Sequence, residues 1–326
     1  MNMQTKQEIL EILAMPTDDY WREVAPFAKN LHAEKNGNKF LATAMLGFTN
    51  ICKNMCLYCG MRAANKEIKR YRVEKEDVLA SAKAAKELGF KRIFLISGED
   101  PGYGFVNLVD IAQQIKDLGF YLILACGEFS KQQYKDLKNA GVDEYALKFE
   151  MAQEDVFNRL NPSTDFSRRM QAIEWIKETG MSLASGNIID YPGQTNEQLA
   201  QDILLMRDLE ISWAPVIPYS PAKGTPMAAS GHIGSIEKTL KEISILRMMM
   251  PSVNITAQQP GKDPSKGIST PRGNADALLA GANVLFADML PAALAKNFSV
   301  FDNRAALGLE NMERVAELSG MELAWI

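Results

Sequence analysis

Three of the four cysteines in this chain lie within one short segment. Cys52, Cys56 and Cys59 belong to residues 51–60, which read Ile-Cys-Lys-Asn-Met-Cys-Leu-Tyr-Cys-Gly. Structural zinc sites and ordinary iron–sulfur clusters are closed by four protein ligands. Three thiolates therefore leave one metal coordination position open for another molecule. An open position indicates a reactive metal site, not a purely structural one. The C-x3-C-x2-C spacing fits a [4Fe–4S] cluster with one labile iron.

A zinc site is the alternative for these cysteines, and it needs a fourth ligand. The remaining cysteine, Cys126, lies about 70 residues farther along the chain, and the nearest histidine is His32. Since the chain has two histidines, a histidine-based metal site or a Ser-His-Asp triad is hard to assemble. Cys126 is expected to be a buried structural residue, a common use of a free cysteine, with a catalytic role as the weaker alternative.

The composition is that of a globular protein, and we expect neither a membrane span nor export. The 326 residues are 47% hydrophobic and 23% charged, and they contain no apolar run of the roughly 18 residues that a membrane helix needs. The N-terminus leads into an amphipathic stretch at residues 8–13, not into the apolar region of a signal peptide. The clustered cysteines argue against a disulfide framework, so we expect a reducing, cytoplasmic location.

The charge pattern argues against nucleic acid as a partner. The net charge is −4, and the lysines and arginines are scattered among acidic residues. A nucleic-acid-binding protein usually gathers its basic residues on one face or stripe. We therefore expect a small-molecule or protein partner.

From residue 41 onward, β-rich runs alternate with helical segments, which is typical of repeated βα units around a parallel sheet. Eight strands are predicted, at Leu41–Thr49, Arg92–Ile96, Tyr121–Ala125, Glu144–Phe149, Ser182–Ile189, Trp213–Pro218, Val253–Ala257 and Asn283–Ala287. Helices are predicted between them, at Lys75–Leu88, Val106–Leu118, Lys131–Ala140, Phe166–Thr179, Glu197–Leu209, Ser235–Met250 and Asn274–Ala280. The predicted fold is α/β: a (β/α)8 TIM barrel over residues 41–298, with an N-terminal helical extension at residues 1–40 and a C-terminal helical tail at residues 299–326.

Polar residues follow five of the predicted strands. Active sites of such barrels lie at the C-terminal ends of the strands, so these residues should meet at one mouth. The segments, in strand order, are the cysteine segment, Ser97–Asp100, Cys126–Glu128, Glu150 and Asp190–Thr195.

The cysteine spacing, with Tyr58 before the last cysteine, resembles the radical S-adenosylmethionine (SAM) superfamily. The resemblance implies that the open iron of a [4Fe–4S] cluster chelates the amino and carboxylate groups of SAM. An electron from the cluster then cleaves the S–C5′ bond and gives a 5′-deoxyadenosyl radical that acts on the substrate. The superfamily places an aromatic residue near the adenine at the position of Tyr58. The alternative is a tyrosine that only packs the loop.

Residues 97–100, Ser-Gly-Glu-Asp, occupy the place of the superfamily's Gly-Gly-Glu motif, whose backbone and glutamate hold the methionyl ammonium of SAM. Ser97, Gly98 and Glu99 are therefore candidate SAM-binding residues. A carboxylate accepts strong hydrogen bonds from a cation in a partly dry pocket. The alternative is a turn in which Gly98 supplies a positive φ.

Longer stretches resemble HydE, the [FeFe]-hydrogenase maturase family, which belongs with biotin synthase and the methylornithine synthase PylB. The resemblance runs from about residue 38 to residue 300, and its specific stretches are Phe48–Arg62, Ile68–Arg72, Ser97–Pro101 and Pro192–Thr195. It implies that Glu150 and Arg169 contact SAM, because they keep the spacing of two SAM contacts in HydE, and that Ile188 also lies at the cofactor. For Arg169 the alternative is a solvated helix face shared with Arg168.

The residues expected to choose the substrate depart from both relatives. Lys148 stands where HydE has an arginine, and Trp213 where it has a methionine. Two threonines of the HydE cavity and three residues with which PylB holds its amino-acid substrate are also replaced, at Gln258, Gln259, Pro215 and Pro260. The substrate is expected deep in the barrel, among Ser97, Lys148, Trp213, Gln258 and Gln259.

The resemblance therefore predicts a radical SAM enzyme of the HydE type that acts on a small molecule or small organometallic substrate, with an electron donor such as flavodoxin or ferredoxin. A PylB-like amino-acid mutase and an uncharacterised HydE-like activity are the alternatives within this class. Biotin synthase is excluded because its second cluster needs three further cysteines. The alternative to an enzyme is a non-catalytic carrier of iron–sulfur or organometallic cargo. The residues expected to bind SAM argue against it, because a carrier has no use for them.

Overall fold

The chain folds as a barrel of eight parallel strands surrounded by helices. The computed structural model describes residues 5–261, 263, 269–304 and 307–325. The barrel strands are β1 Lys39–Thr49, β2 Arg92–Ser97, β3 Tyr121–Ala125, β4 Glu144–Ala146, β5 Ser182–Ala184, β6 Trp213–Ala214, β7 Asn254–Ile255 and β8 Val284–Asp288. Their order around the sheet is β8-β1-β2-β3-β4-β5-β6-β7, and a parallel bridge between Thr256 and Val284 joins its two ends. The predicted (β/α)8 fold is confirmed.

Each of the first seven barrel strands is followed by a helix that packs its apolar face against the sheet. These helices span Lys75–Glu87, Phe105–Asp117, Lys131–Asn139, Phe166–Glu178, Asn196–Asp208, Ile236–Met249 and Pro271–Leu279. Val78, Ala82 and Ala85 of the first helix are fully buried, as their helical spacing predicts. Ser130 and Thr195 begin the third and fifth helices with capping boxes, which satisfy backbone N–H groups of the first turn.

The fifth and sixth strands differ from their predicted lengths because each is interrupted. After β5 and β6 the chain breaks and resumes as two short strands, Ile188–Ile189 and Ile217–Pro218, which pair in parallel with each other as a separate sheet. Pro215 lies in the second break and has no backbone N–H to give to a ladder. The barrel wall therefore splits at this side of the mouth, which creates irregular backbone beside the predicted site.

The segments outside the barrel hold its two ends. Lys6–Ala14 and Ala25–Asn36 are helices, joined through the short helical turns Thr17–Asp19 and Tyr20–Val24. The tail contains a helix at Leu309–Ser319 and also a short strand, β9 Glu322–Ala324, which the sequence pattern did not predict and which pairs with the start of β1. The remaining short helices are Pro101–Tyr103, Glu154–Leu160, Pro226–Ser230 and Ala292–Ala295. Across the described parts of the chain, no helix is long and apolar enough to cross a membrane.

Large side chains from several strands fill the lower part of the barrel. The Trp213 ring meets the rings of Phe94 and Phe286 with centroids 5.1 Å and 5.4 Å apart. Its indole Nε1 donates to Thr256 Oγ1 over 2.9 Å, which satisfies its polar group inside the core. These rings form a packed floor, so open space in the barrel lies above them toward the C-terminal ends of the strands.

Candidate functional site

The cysteine loop, residues 51–60, leaves the end of β1 and is anchored from several directions. Lys53 N donates to Glu99 O over 2.9 Å, and Glu99 N donates to Cys52 Sγ over 3.4 Å. Leu57 N donates to Leu160 O over 2.9 Å. The end of β2 and the short helix after β4 therefore position a loop that has no regular structure of its own.

Gly98 is required by close packing against this loop. A Cβ at this position would lie 2.2 Å from Ile51 O and 2.9 Å from Cys52 Cβ, closer than real side chains approach. Gly98 is not among the residues with positive φ. The alternative of a turn glycine is therefore wrong, and the missing side chain serves to let β2 touch the start of the cysteine loop.

The three thiols of the loop lie partly buried and near one another. Burial raises the pKa of Cys56 to about 12, and it also raises the pKa of Cys52 and of Cys59. The neighbouring Cys56 adds to the rise at Cys59, which places the two sulfur atoms within electrostatic range. In the described part of the chain, no three His, Cys, Asp or Glu side chains gather closely enough to hold one metal ion. A [4Fe–4S] cluster does not need such convergence, since each thiolate binds its own iron.

Glu99 holds the cysteine loop through its side chain as well as its backbone. Its carboxylate is 10% exposed and lies 2.5 Å from Lys53 Nζ. Asn54 Nδ2 donates to Glu99 Oε2 over 2.9 Å. The predicted contact of Glu99 with SAM stays a prediction, while its contacts with the loop between the first two cysteines are direct.

Tyr58 points from the cysteine loop toward the barrel cavity. Its hydroxyl donates to Asn161 Oδ1 over 2.7 Å, and burial raises its pKa well above the usual value. Asn161 is fully buried and donates in turn to Phe157 O over 3.0 Å. The tyrosine is therefore fixed in one position beside the cavity, a contact that the sequence did not predict.

Glu150 follows β4 in a backbone conformation that few non-glycine residues adopt. Its φ is 63°, and it is held there by a bridge to Asn187. Ile188 N donates to Glu150 O over 2.9 Å, which places the predicted cofactor residue Ile188 directly beside it. The Glu150 carboxylate lies 3.1 Å from Lys148 Nζ. Local strain of this kind concentrates at functional sites, where the surrounding structure maintains it.

Arg169 faces the site and is 8% exposed, so the alternative of a solvated helix face is wrong. Its Nε donates to Glu128 Oε1 over 2.6 Å, and its guanidinium also donates to Lys148 O and lies 5.1 Å from the centre of the Phe157 ring. Glu128 is a site residue to which the sequence assigned no role. The available signal was its place after β3, comparable to Glu99 after β2 and Glu150 after β4.

The barrel mouth encloses a cavity of about 290 Å³ that reaches from the cysteine loop to the aromatic floor. The predicted residues Tyr58, Glu150, Ile188, Lys148, Trp213 and Gln258 line it. The amide of Gln258 is already used, because it donates to Phe286 O over 2.9 Å and accepts from Phe286 N over 3.1 Å. Gln258 therefore closes the seam between β7 and β8.

Two predicted substrate contacts are corrected by their positions. Gln259 is fully buried behind the wall, where its Nε2 donates to Val216 O over 2.9 Å. Ser97, one residue after the cavity-lining Ile96, points to the opposite face of its strand. It borders a second cavity of about 370 Å³ together with Cys126, Glu99 and Glu128. Alternation along a strand explains the error, since residues next to each other face opposite sides.

Cys126 is buried as expected of a structural cysteine. It is 4% exposed, and burial raises its pKa to about 12, so the thiol is protonated at neutral pH. Its backbone N donates to the Tyr145 hydroxyl over 3.3 Å. A protonated thiol is a poor nucleophile and a poor metal ligand.

Comparison with known proteins decides the family. Residues 46–206 match the model of the radical SAM superfamily. The chain is also 30% identical over 300 residues to the [FeFe] hydrogenase maturase subunit HydE of Thermotoga maritima, an alignment that covers 92% of this chain and 84% of that protein. The chain belongs to the radical SAM superfamily.

Other relatives place this radical SAM enzyme in the group that contains HydE, methylornithine synthase and biotin synthase. It is 26% identical over 283 residues to the 3-methylornithine synthase of Methanosarcina acetivorans, covering 85% of this chain and 77% of that protein. Among solved structures, methylornithine synthase (PylB) superposes with a TM-score of 0.85 at 23% identity and covers 98% of this chain and 94% of that one. The hydrogenase maturase HydG superposes with a TM-score of 0.82 at 20% identity and covers 99% of this chain and 72% of that one.

The site residues of this radical SAM enzyme fit the cofactors that the family implies. Cys52, Cys56 and Cys59 supply three soft ligands on one loop, as an iron–sulfur cluster requires. Opposite charges, on Glu150 and on Arg169, border the same region and suit the ammonium and carboxylate groups of SAM. The buried Glu128 keeps Arg169 oriented toward this region, as a partner behind a ligand commonly does.

Proposed function

We propose that this enzyme binds a [4Fe–4S] cluster through Cys52, Cys56 and Cys59 and uses it to cleave SAM reductively. The cluster and SAM, when bound, supply one-electron chemistry that yields a 5′-deoxyadenosyl radical. The substrate is a small molecule or small organometallic compound inside the barrel, and the reaction is of the HydE type, the maturation of the [FeFe]-hydrogenase active-site cluster.

One observation carries this proposal: the cavity is continuous from the cysteine loop to the barrel floor. Tyr58 of the loop and Trp213 of the floor line the same space, with Glu150 between them. A radical formed at the loop would therefore share one cavity with a substrate above Trp213. Exclusion of water from this cavity by the bound substrate would protect the radical from side reactions.

The chain's own residues would bind and orient SAM. Glu150 is fixed by its left-handed backbone and would accept hydrogen bonds from an ammonium group. Arg169 is fixed by Glu128 and would donate to a carboxylate. A non-catalytic carrier of cluster cargo has no use for two opposite charges held this firmly beside an open ligand position, which counts against that alternative.

HydE-type chemistry is the first choice because the relative of that name is 30% identical over most of both chains. A methylornithine synthase-like mutase is the second candidate. It is favoured by the fold match to methylornithine synthase, with a TM-score of 0.85, and by the relative at 26% identity. We further propose that a flavodoxin or ferredoxin supplies the electron and that the enzyme works in the cytoplasm, where reducing conditions keep the cysteines available.

Two product assays separate these candidates. The protein would replace HydE in an in vitro [FeFe]-hydrogenase maturation mixture, and hydrogen evolution would be measured. In parallel, the reconstituted protein would be incubated with SAM, dithionite and the common amino acids, and 3-methylornithine would be sought by mass spectrometry. We expect hydrogen evolution and no 3-methylornithine. The opposite pair of results would overturn the HydE assignment in favour of the mutase.

A further inference from the structure

The stretch Ile68–Arg72, one of those that resemble HydE, contains an arginine that joins the two ends of the cysteine loop. Arg70 Nη1 donates to Asn50 O over 2.7 Å and to Met61 O over 2.8 Å. Asn50 precedes the first cysteine of the loop by two residues, and Met61 follows the last cysteine by two. One nitrogen atom therefore binds both ends of the segment that carries the three thiols.

The other terminal nitrogen of Arg70 holds the chain that follows the loop. Nη2 donates to Arg62 O over 2.6 Å and to Asn65 O over 3.1 Å. A guanidinium has five N–H donors in a planar fork, so it can serve several acceptors at once in a fixed geometry. The loop has no regular structure of its own, and this fork gathers backbone carbonyls from before it and after it.

A buried asparagine in turn positions Arg70. Asn50 is fully buried, and its Oδ1 accepts from Tyr71 N over 2.8 Å. Its Nδ2 donates to Lys69 O over 2.8 Å and to Asn297 O over 2.6 Å. The side chain of Asn50 therefore binds the backbone on both sides of Arg70 and directs this arginine to the loop.

The positive charge of Arg70 has no acidic partner. In the part of the chain that the structure describes, no carboxylate forms an ion pair with it. Arg62 is held in the same way, because its Nε donates to Cys56 O over 3.2 Å and no described carboxylate pairs with it. By contrast, Arg72 Nε lies 2.7 Å from Asp100 Oδ2. The cysteine loop thus lies beside two positive charges that the described acids do not neutralise.

We propose that Arg70 is a positioning residue that clamps the cysteine loop, and that Arg70 and Arg62 together raise the reduction potential of the [4Fe–4S] cluster. Reduction adds one electron, taken from the donor protein, and so adds one negative charge beside the three thiolates. Nearby positive charge stabilises the reduced form more than the oxidised form. This inference rests on the proposed function, because it concerns the cluster of the same site.

Hydrogen exchange tests the clamp in the cluster-free protein. Exchange of the backbone amides in residues 50–65 would be followed by mass spectrometry, and iron would be measured after reconstitution. Arg70→Gln and Arg70→Lys both lose the planar fork, so exchange should be at least about tenfold faster, the effect of losing one charged hydrogen bond, and iron content should fall. Lys69→Gln is the control, since it removes an exposed neighbouring charge and should change neither quantity.

The reduction potential tests the charge, which a purely structural role would not affect. The reconstituted variants would be titrated with dithionite and followed by electron paramagnetic resonance, which reports only the molecules that hold a cluster. We expect a more negative potential in Arg70→Gln and in Arg62→Gln, and a potential close to that of the wild type in Arg70→Lys. Lys69→Gln should match the wild type, because water and salt screen an exposed charge.

The two halves of the inference fail on different results. Exchange rates and iron content like those of the wild type in Arg70→Gln would overturn the clamp. An unchanged potential in Arg62→Gln, or equal shifts in Arg70→Lys and Arg70→Gln, would overturn the charge effect. If Arg70→Gln loads no cluster, the clamp is supported and Arg62→Gln decides the charge effect.

The proposed function is judged separately on the same samples. Exchange, iron content and potential are all measured without SAM. A wild-type protein that holds the cluster but forms no 5′-deoxyadenosine with SAM and dithionite would refute the proposed function, while the roles of Arg70 and Arg62 would still be decided by these three measurements.

Discussion

Replacing Gly98 by alanine tests how β2 positions the cysteine loop. The new Cβ would lie 2.2 Å from Ile51 O and 2.8 Å from Ile51 C, backbone atoms that cannot rotate away. The loop and the strand must separate by about 1 Å, and forcing extra volume into a packed site costs about 1–3 kcal/mol. The new Cβ would also lie 2.9 Å from Cys52 Cβ, so the displacement moves one of the three proposed cluster ligands.

The assay compares Gly98→Ala with a matched substitution at Gly186. An alanine Cβ at Gly186 would meet its neighbours at 3.5 Å or more, an ordinary contact, and that residue has no positive φ. Both variants would be reconstituted anaerobically, and iron, acid-labile sulfide and the free energy of unfolding in urea would be measured. We expect Gly98→Ala to lose stability and most of its iron, while Gly186→Ala changes little.

Full iron content in Gly98→Ala, with the unfolding free energy of the wild type, would refute the reasoning. It would mean that the loop reaches its cluster-binding form without the close contact to β2. Loss of stability with normal iron would show that the strand bends and the loop stays in place.

Three further predictions follow from single side chains. Glu128→Gln removes the charge that holds Arg169, so the KM for SAM should rise about tenfold in a 5′-deoxyadenosine assay, with little change in iron content. Trp213→Ala removes the floor of the cavity and should destabilise the fold by about 3–5 kcal/mol in urea unfolding. Burial raises the pKa of Asp202 from 3.8 to about 7, so the folded state holds this proton more tightly than the unfolded chain does. Stability should therefore fall as the pH rises from about 4 to about 7, by up to about 1.4 kcal/mol per unit, and Asp202→Asn should reduce that slope.

Each of these predictions has a control and a contrary result. Glu178→Gln, which breaks an exposed pair with Lys131, should leave the KM for SAM unchanged, and equal KM values for both glutamine variants would contradict the role of Glu128. Trp213→Phe should lose less stability than Trp213→Ala, because it leaves a smaller cavity. For the pH profile, Asp208→Asn on the exposed side of the same helix is the control. Identical slopes in all three proteins would contradict the account of Asp202.

Much of the barrel could be predicted because its signals are local. The spacing of Val78, Ala82 and Ala85 predicts the first helix of the barrel, Lys75–Glu87, and all three residues are buried. The break after β5 has no local signal, since an apolar run of strand length does not show that its pairing partners change. For the break after β6 the available signal is Pro215, inside the predicted strand Trp213–Pro218. The strand Glu322–Ala324 was missed for a related reason: three residues are too few to show a period, and a distant partner, the start of β1, determines it.

The candidate site likewise combines residues that the sequence predicts with contacts that only the folded structure shows. The cysteine loop, Glu150 and Arg169 follow from spacing and from the resemblance, and the last two each contact Lys148. The contact of Gly98 with Ile51 O joins two strand ends, and no local pattern records it. The ion pair of Asp288 and Arg304, in the wall of the cavity, joins β8 to the tail, so it too becomes visible only in three dimensions.

The central claim is that the three-cysteine loop supports reductive cleavage of SAM. The most direct measurement is 5′-deoxyadenosine formed by the anaerobically reconstituted protein with SAM and dithionite, after spectroscopy has established a [4Fe–4S] cluster. We expect 5′-deoxyadenosine from the wild type and none from Cys56→Ala, which removes one ligand. A wild-type protein with an intact cluster that forms no 5′-deoxyadenosine would contradict the account.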